Sequence, residues 1–526
     1  MLAQFILATA AAIGPGGPTD ARAQPAPEAP AIVIRPIGSF RTGPFNTLAA
    51  EIAAYDPSVR SLFVTNSHTN ALDVLSIADP TRPARVRSIG LGSFGGGVNS
   101  VAVMNGLVAV AVEGHVKTDP GRVVVFDAVG TLVGLVEVGA LPDMLTFTPD
   151  GRRLVVANEG EPSDDYTVDP EGSVSIIDLP GDPRRLGQRH VRTATFTRFD
   201  DGGLDPGVRV FGPGAAPSRD LEPEYIAVSG DSRTAYVVLQ ENNALALVDL
   251  DSATVTRIVP LGFKDHSQHG NGLDPSDRDG GIRIGQAPVR GMFQPDTIVR
   301  YETGGAEYLI TADEGDARYY AGFAEAARVA DLSLDPSSFP DAAELQRPER
   351  LGRLHVSRAS GDEDGDGLYE SLYAFGARGF SIRDASGGLV FHSGDAFEKM
   401  VASAAPEGFN SNNTSNDSRD ARSDDRGPEP EAIAVGSIAG RHYAFIGLER
   451  VGGIVVFDVT EPARSTPVGY WTTRHFAGDP VVGTAGDLGP ECLVFIPADL
   501  SPNGEHLLVS VNEISGTVTV AVVRKR

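Results

Sequence analysis

The chain has 526 residues, of which 41% are hydrophobic, and 44 Lys and Arg stand against 70 Asp and Glu for a formal charge of −26. This is a globular composition, and its acidic excess excludes nucleic acid and anionic membrane surfaces as partners while leaving cations as the charge-matched class. With 61 Gly and 37 Pro the chain is turn-rich, which excludes long helices.

From the N-terminus, an apolar run from Phe5 to Ile13 precedes Ala21-Arg22-Ala23, so residues 1–23 read as a secretory signal with an A-x-A cleavage site, although the first residues carry no Lys or Arg. Residues 24–32 (QPAPEAPAI) read as a Pro/Ala linker. No later segment has the roughly 18 apolar residues of a membrane span. The expected location is the periplasm or the medium.

Residues 33–526 carry a repeated unit: an acidic or amide residue opens a strand, an apolar strand follows and ends near a Glu, and a third strand closes on Asp. In chain order the openers are Glu51, Asn99, Asp143, Glu224, Asp296, Glu431 and Glu491. The second strands end at Glu113, Glu159, Glu241, Glu314, Glu449 and Glu513, and the first unit has Ser67 and His68 instead. Short β-branched strands separated by turns such as PDG and SPNG predict antiparallel four-stranded sheets, and seven such units predict an all-β, seven-bladed β-propeller. The last unit lacks a fourth strand and AIVIRPIGSF lacks a unit, so the N-terminal strand is expected to close the ring and hide two sheet edges.

In a propeller the entry to each first strand and the turn after each second strand share one face, so both acidic series are expected at one channel mouth. The insertions 160–172, 262–293, 315–370 and 402–430 fall on that same face. Loops of this length are commonly functional. Crowded carboxylates must be protonated, paired or metal-bound, and each one taken alone fits equally well as a hydrogen-bonding partner of the neighbouring blade. Imidazoles brought in by the insertions, His266 and His269, together with His475 and with His68 and His115 in turns, make a mixed-ligand metal cluster the sharper expectation. Arg318, Arg422, Arg426, Arg450 and Lys264 fall on or beside the same face, either as clamps for an anionic oxygen or as ion-pair partners of the acids. Asp362, Asp364, Asp366 and Glu370 in GDEDGDGLYE match the start of an EF-hand-like loop and point to a structural calcium, although the distal Glu position is Tyr373. Cys492, the one cysteine, lies in an apolar strand pattern and is expected to be buried and inert. No nucleophile elbow, phosphate loop or CxxC pair is present.

The stretches ANEGEPSDDYTVDPEGSVSIID, LGFKDHS, TADEGDARYY, FNSNNTSNDSRDARSDDRGPEPEAIAV, GLERVGGIVVFDV and GPECLVFIPADLSPNGEHLLVSVNEISGTVTV together resemble the choice-of-anchor I family of secreted proteins, whose members include alkaline-phosphatase-like proteins and mesenchyme-specific cell-surface glycoproteins. The layout is also similar to the sphingomonad haloalkylphosphorus hydrolases, which are propeller phosphotriesterases with a two-metal centre at the channel mouth. That resemblance implies an exported, metal-dependent phosphoric ester hydrolase acting on a small phosphoester through a metal-activated water. It implies a binuclear site of Mn, or of Zn, Fe or Ca, built from Glu224, His266, Asp296, Glu314, Glu431, Glu449, His475 and Glu491. Glu431, His266, Arg318 and Arg450 are the residues expected to serve catalysis. The rival expectation is a non-enzymatic calcium-binding surface or matrix protein.

Overall fold

The computed structural model describes residues 32–526, so the expected signal peptide and residues 24–31 of the expected linker lie outside the described residues. Seven four-stranded antiparallel sheets follow one another along the chain. Their first strands are Ala53–Asp56, Val98–Met104, Pro142–Phe147, Pro223–Val228, Ile298–Thr303, Pro430–Ile438 and Pro490–Ile496, which number blades 1 to 7. Each first strand packs against those of the blades before and after it, and blade 7 packs against blade 1, so the sheets form a closed ring.

Burial follows from position in the blade. Second strands such as Leu107–Val112 (LVAVAV) are covered on both faces and read as continuous apolar runs, whereas outer strands such as Ala84–Gly90 are largely exposed. The apolar cores lie between neighbouring blades. Val155, Ile176 and Val237 join blades 3 and 4, Phe380, Ile446 and Phe457 join blades 5 and 6, and Val64, Val509 and Val520 join blades 7 and 1. Cys492 is buried in the last of these.

Blade 7 is completed from the other end of the chain. Strand Ile32–Arg41 pairs antiparallel with Thr517–Lys525, from Ile32 opposite Lys525 to Arg41 opposite Thr517, with a register shift between Pro36 and Gly38. The first and last strands thereby cover each other's edges.

The insertions build more than loops. Phe263–Asp265 and Arg290–Met292 from one insertion join Ala326–Arg328, His355–Ser357 and Tyr373–Ala374 from another in a five-stranded accessory sheet. That sheet has its own apolar core, including Leu273, Val289, Leu334, Leu354 and Val356. Its strands have two or three residues, too few for an alternating pattern to register in sequence. No helix among the described residues is long and apolar enough to cross a membrane.

Candidate metal centre at the channel mouth

In five of the seven blades the backbone bulges at the opener. Register shifts fall at Val98/Ser100, Pro142/Leu145, Pro223/Ile226, Pro430/Ile433 and Pro490/Cys492, bracketing Asn99, Asp143, Glu224, Glu431 and Glu491. A bulge puts an extra residue on one strand and re-aims its side chain. Glu51, Asn99, Asp143, Glu224, Asp296 and Glu491 line a common central cavity of about 160 Å³.

Glu51, Asp143, Glu224 and Glu491 are held above their ordinary range. Burial raises Glu51 to about 7 and Asp143 to about 7, and Glu161 adds to the shift of Asp143. Burial, then Glu159 and Asp143, push Glu224 well up, and one oxygen of Glu224 is buried with no partner among the described residues. Burial followed by Glu431 and Glu513 does the same to Glu491.

At the interface of blades 5 and 6 the two acidic series meet. Asp296, Glu314 and Glu431 offer carboxylate oxygens within 4.8 Å of one another, and so do Glu314, Glu429 and Glu449, with Glu314 common to both groups. Separations of this size let one ion with metal–oxygen distances of about 2.3–2.6 Å reach every member of a group. Burial raises Glu314 to about 8 against the opposing effect of Arg426, and Glu449 to about 8 against that of Arg450. Burial and then Glu449 push Glu431 well up. Glu429 behaves oppositely: although it is fully buried, Arg426, Arg422 and Arg450 hold it below its ordinary value. Gln240 Nε2 donates to Glu314 Oε2 at 3.0 Å, and Asn413 Nδ2 donates to Glu449 Oε1 at 2.9 Å. The Oδ1 of Asn413 is buried without a partner among the described residues, which leaves one more oxygen donor beside this group.

Both expected histidines lie elsewhere. His266 is fully buried beside the accessory sheet, its Nδ1 is 2.6 Å from the Asn271 carbonyl oxygen, and its Nε2 has no partner among the described residues. Burial, then Lys264 and Arg378, hold it well below the usual imidazole range, so it stays neutral. The insertion carrying it folds back to pair Phe263–Asp265 with Arg290–Met292, which keeps His266 out of every carboxylate group among the described residues. His475 lines a separate cleft with Arg41 and Asp487 and joins none of those groups either.

Arg318 is almost fully buried, paired with Asp220 and, at 2.9 Å, with Glu222, so it is an ion-pair partner away from the Glu314 groups and not a free clamp. Arg450 lies 3.1 Å from Glu429 and 3.0 Å from Glu449 and is a quarter exposed, which places it at the edge of the centre. Lys264 is buried, with its ammonium donating to the carbonyls of Ala377 and Gly394. In the acidic loop, Asp362, Asp364 and Glu370 come within 4.8 Å of one another. Asp366 instead accepts the Leu368 N–H at 2.8 Å and stays outside that group.

Sequence reasoning missed Glu429 and Glu222. The signal that marks them is Glu-Pro-Glu, at 222–224 and again at 429–431, directly ahead of a first strand.

The family model for the choice-of-anchor I domain matches residues 51–462. A mesenchyme-specific cell surface glycoprotein of Strongylocentrotus purpuratus is 30% identical over 326 residues, 56% of this chain and 40% of that protein. The chain thus spans well under half the length of that relative. Gigasin-3a of Magallana gigas is 33% identical over 196 residues, 34% of this chain and 67% of that protein. Among solved structures, the hydrazine synthase of Kuenenia stuttgartiensis aligns with a TM-score of 0.47 at 13% identity, covering 92% of this chain and 98% of that one. From blade 1 through most of blade 6, the chain belongs to the choice-of-anchor I family.

Proposed function

We propose that the protein is an exported, metal-dependent phosphoric ester hydrolase whose reaction centre is the channel mouth at blades 5 and 6. The observation that carries this reading is the sharing of Glu314 by two carboxylate groups, an arrangement suited to a pair of neighbouring divalent ions. Asp296, Glu314 and Glu431 would hold one ion, and Glu314, Glu449 and Glu429 the other. With both histidines elsewhere the donors are all oxygen, which favours Mn, Mg or Ca over Zn or Fe. Ions bound there would supply an acidified water and would neutralise charge developing on phosphoryl oxygens.

The chain's own groups do the rest. Arg422 and Arg426 fix Glu429 in place, at 2.6 Å and 3.2 Å. Arg450, partly exposed between Glu429 and Glu449, is placed to meet an anionic oxygen of the substrate. The cell-surface name of the first relative supports export. Dialysis against chelator should abolish hydrolysis of a chromogenic phosphotriester or monoester, and Mn or Ca should restore it. Glu431→Gln should lose both activity and the metal bound at this centre, and an activity indifferent to chelator refutes the reading.

The second reading, a non-enzymatic calcium-binding surface or matrix protein, draws on the same relative's name and on the Asp362, Asp364 and Glu370 loop, which would take a structural calcium. A calcium-dependent rise in melting temperature without hydrolysis of any phosphoester selects it.

A further inference from the structure

The interface of blades 3 and 4 repeats the chemistry of the interface of blades 5 and 6. Glu159 follows the second strand of blade 3 (Arg153–Asn158), as Glu314 follows that of blade 5 (Ala306–Asp313). Glu222 immediately precedes the first strand of blade 4, as Glu429 precedes that of blade 6. Glu241 comes just after the second strand of blade 4 (Thr234–Leu239), as Glu449 comes just after that of blade 6 (Arg441–Leu448). The other blades carry Ala49, Gly97, Leu141, Gln294 and Gly489 two residues before their openers, so only these two interfaces have all three acids.

Glu159, Glu222 and Glu241 bring carboxylate oxygens within 4.8 Å of one another, and all three residues are buried. They are far less compensated than their counterparts. Glu429 faces three arginines, whereas Glu222 faces Arg318 alone, which it shares with Asp220. Glu241 is 5% exposed, and its Oε2 is buried with no hydrogen-bond donor among the described residues. An acceptor oxygen sealed from water without a donor is costly, and a cation between the three carboxylates removes that cost. Asn242 and Arg209 brace the surrounding backbone: Asn242 Nδ2 donates to the Asp220 carbonyl at 2.7 Å and Arg209 Nη1 to the Glu241 carbonyl at 2.5 Å.

We infer that Glu159, Glu222 and Glu241 form a second cation site, a repeat-related twin of the channel-mouth centre, that takes one hard divalent ion such as calcium. The hydrolase reading does not depend on it. The site ties blade 3 to blade 4 across an interface whose buried acids are less neutralised than those at blades 5 and 6.

The test equilibrates the whole protein with Ca2+, removes free ion by gel filtration and measures bound calcium by mass spectrometry. Glu159→Gln combined with Glu241→Gln should bind one calcium per chain fewer than the wild type, whereas Glu431→Gln should keep that ion. Neutralising two buried acids should also raise the variant's melting temperature above the wild type's in chelator at pH 8. Crystals of the wild type soaked in Mn2+ should show an anomalous peak between the three carboxylates, which decides the matter even if the variant fails to fold. Unchanged calcium in the double variant, or no peak there, overturns the site. Loss of that one ion with no phosphoester hydrolysis by the wild type supports the site and refutes the hydrolase reading; chelator-sensitive hydrolysis with unchanged calcium does the reverse.

Discussion

Removing all divalent metal should invert the usual pH dependence of stability. Burial raises Glu51, Asp143, Glu241 and Glu513 to about 7 and Glu314 and Glu449 to about 8 in the folded chain. Between the unfolded values and these, the folded state binds more protons than the unfolded one, so unfolding free energy falls as pH rises. The contribution is fully present below about pH 4 and is lost by about pH 8. One carboxyl raised from 4.5 to about 7, as Glu241 is, costs about 3 kcal/mol when it is forced to ionise. Two such groups cost about 6 kcal/mol, comparable with the whole net stability of many domains, about 5–15 kcal/mol. With an unfolding entropy of about 2 cal/mol/K per residue, a chain of this length shifts by about 1 °C per kcal/mol. About a third of that loss falls below pH 5.5, so between pH 5.5 and 8 two such groups account for about 4 kcal/mol, and the chelated protein should melt at least about 4 °C lower at pH 8 than at pH 5.5 in differential scanning calorimetry. Saturating Mn or Ca should erase or reverse that difference, because an ion bound to ionised carboxylates stabilises only the folded state. A chelated protein as stable at pH 8 as at pH 5.5 would refute the claim that burial holds these acids above their ordinary range.

Other perturbations probe separate parts of this arrangement. Arg318→Ala leaves Asp220 and Glu222 buried without their cation and should cost about 3–5 kcal/mol in urea unfolding; a loss under about 1 kcal/mol means the pair is not sealed from water. Gly376 has φ +72, and a Cβ there would stand 1.9 Å from the Glu314 carbonyl oxygen, so Gly376→Ala should shift Glu314 and lower metal bound at blades 5 and 6 while leaving the Glu159 site loaded. Phe380→Ala empties a fully buried position against Phe397 and Phe457 and should cost about 3–5 kcal/mol by chemical denaturation. Deleting residues 32–41 bares the edge of strand Thr517–Lys525 and should give aggregation visible by light scattering, whereas a monodisperse product would show that the ring does not need its closing strand.

The blades were legible in the sequence because each reuses one physical solution: an acid at the channel, a strand buried on both faces, and a turn. The closing strand was legible from an arithmetic mismatch, one strand too many before the first unit and one too few after the last. His266 was misplaced because an insertion's chain position says which face it leaves from, not which strand it returns to. Its pairing with Arg290–Met292 is a long-range event with only three residues on each side. The accessory sheet escaped for the same reason.

Glu222 and Glu429 were hidden by their place outside the strands. In a regular strand Glu429 and Glu431 would share one face, but Pro430 intervenes, the register shifts, and Glu429 takes a left-handed backbone with φ 49. Leu141 (φ 45) and Gln294 (φ 39), also followed by Pro, adopt the same conformation, whereas Glu222, followed by Pro223, does not, so Glu222 reaches its triad without that left-handed turn. Where the residue two before the opener is Glu, a third carboxylate joins the Glu that ends each neighbouring second strand, and three acids converge between two blades. The two triads then differ in how they are neutralised. Around Glu429, two arginines from the 402–430 insertion and Arg450 balance the charge, while around Glu222 a single arginine serves two acids. Part of the −26 is thus concentrated at two places along one ring, and the less balanced of them is where an added cation gains most.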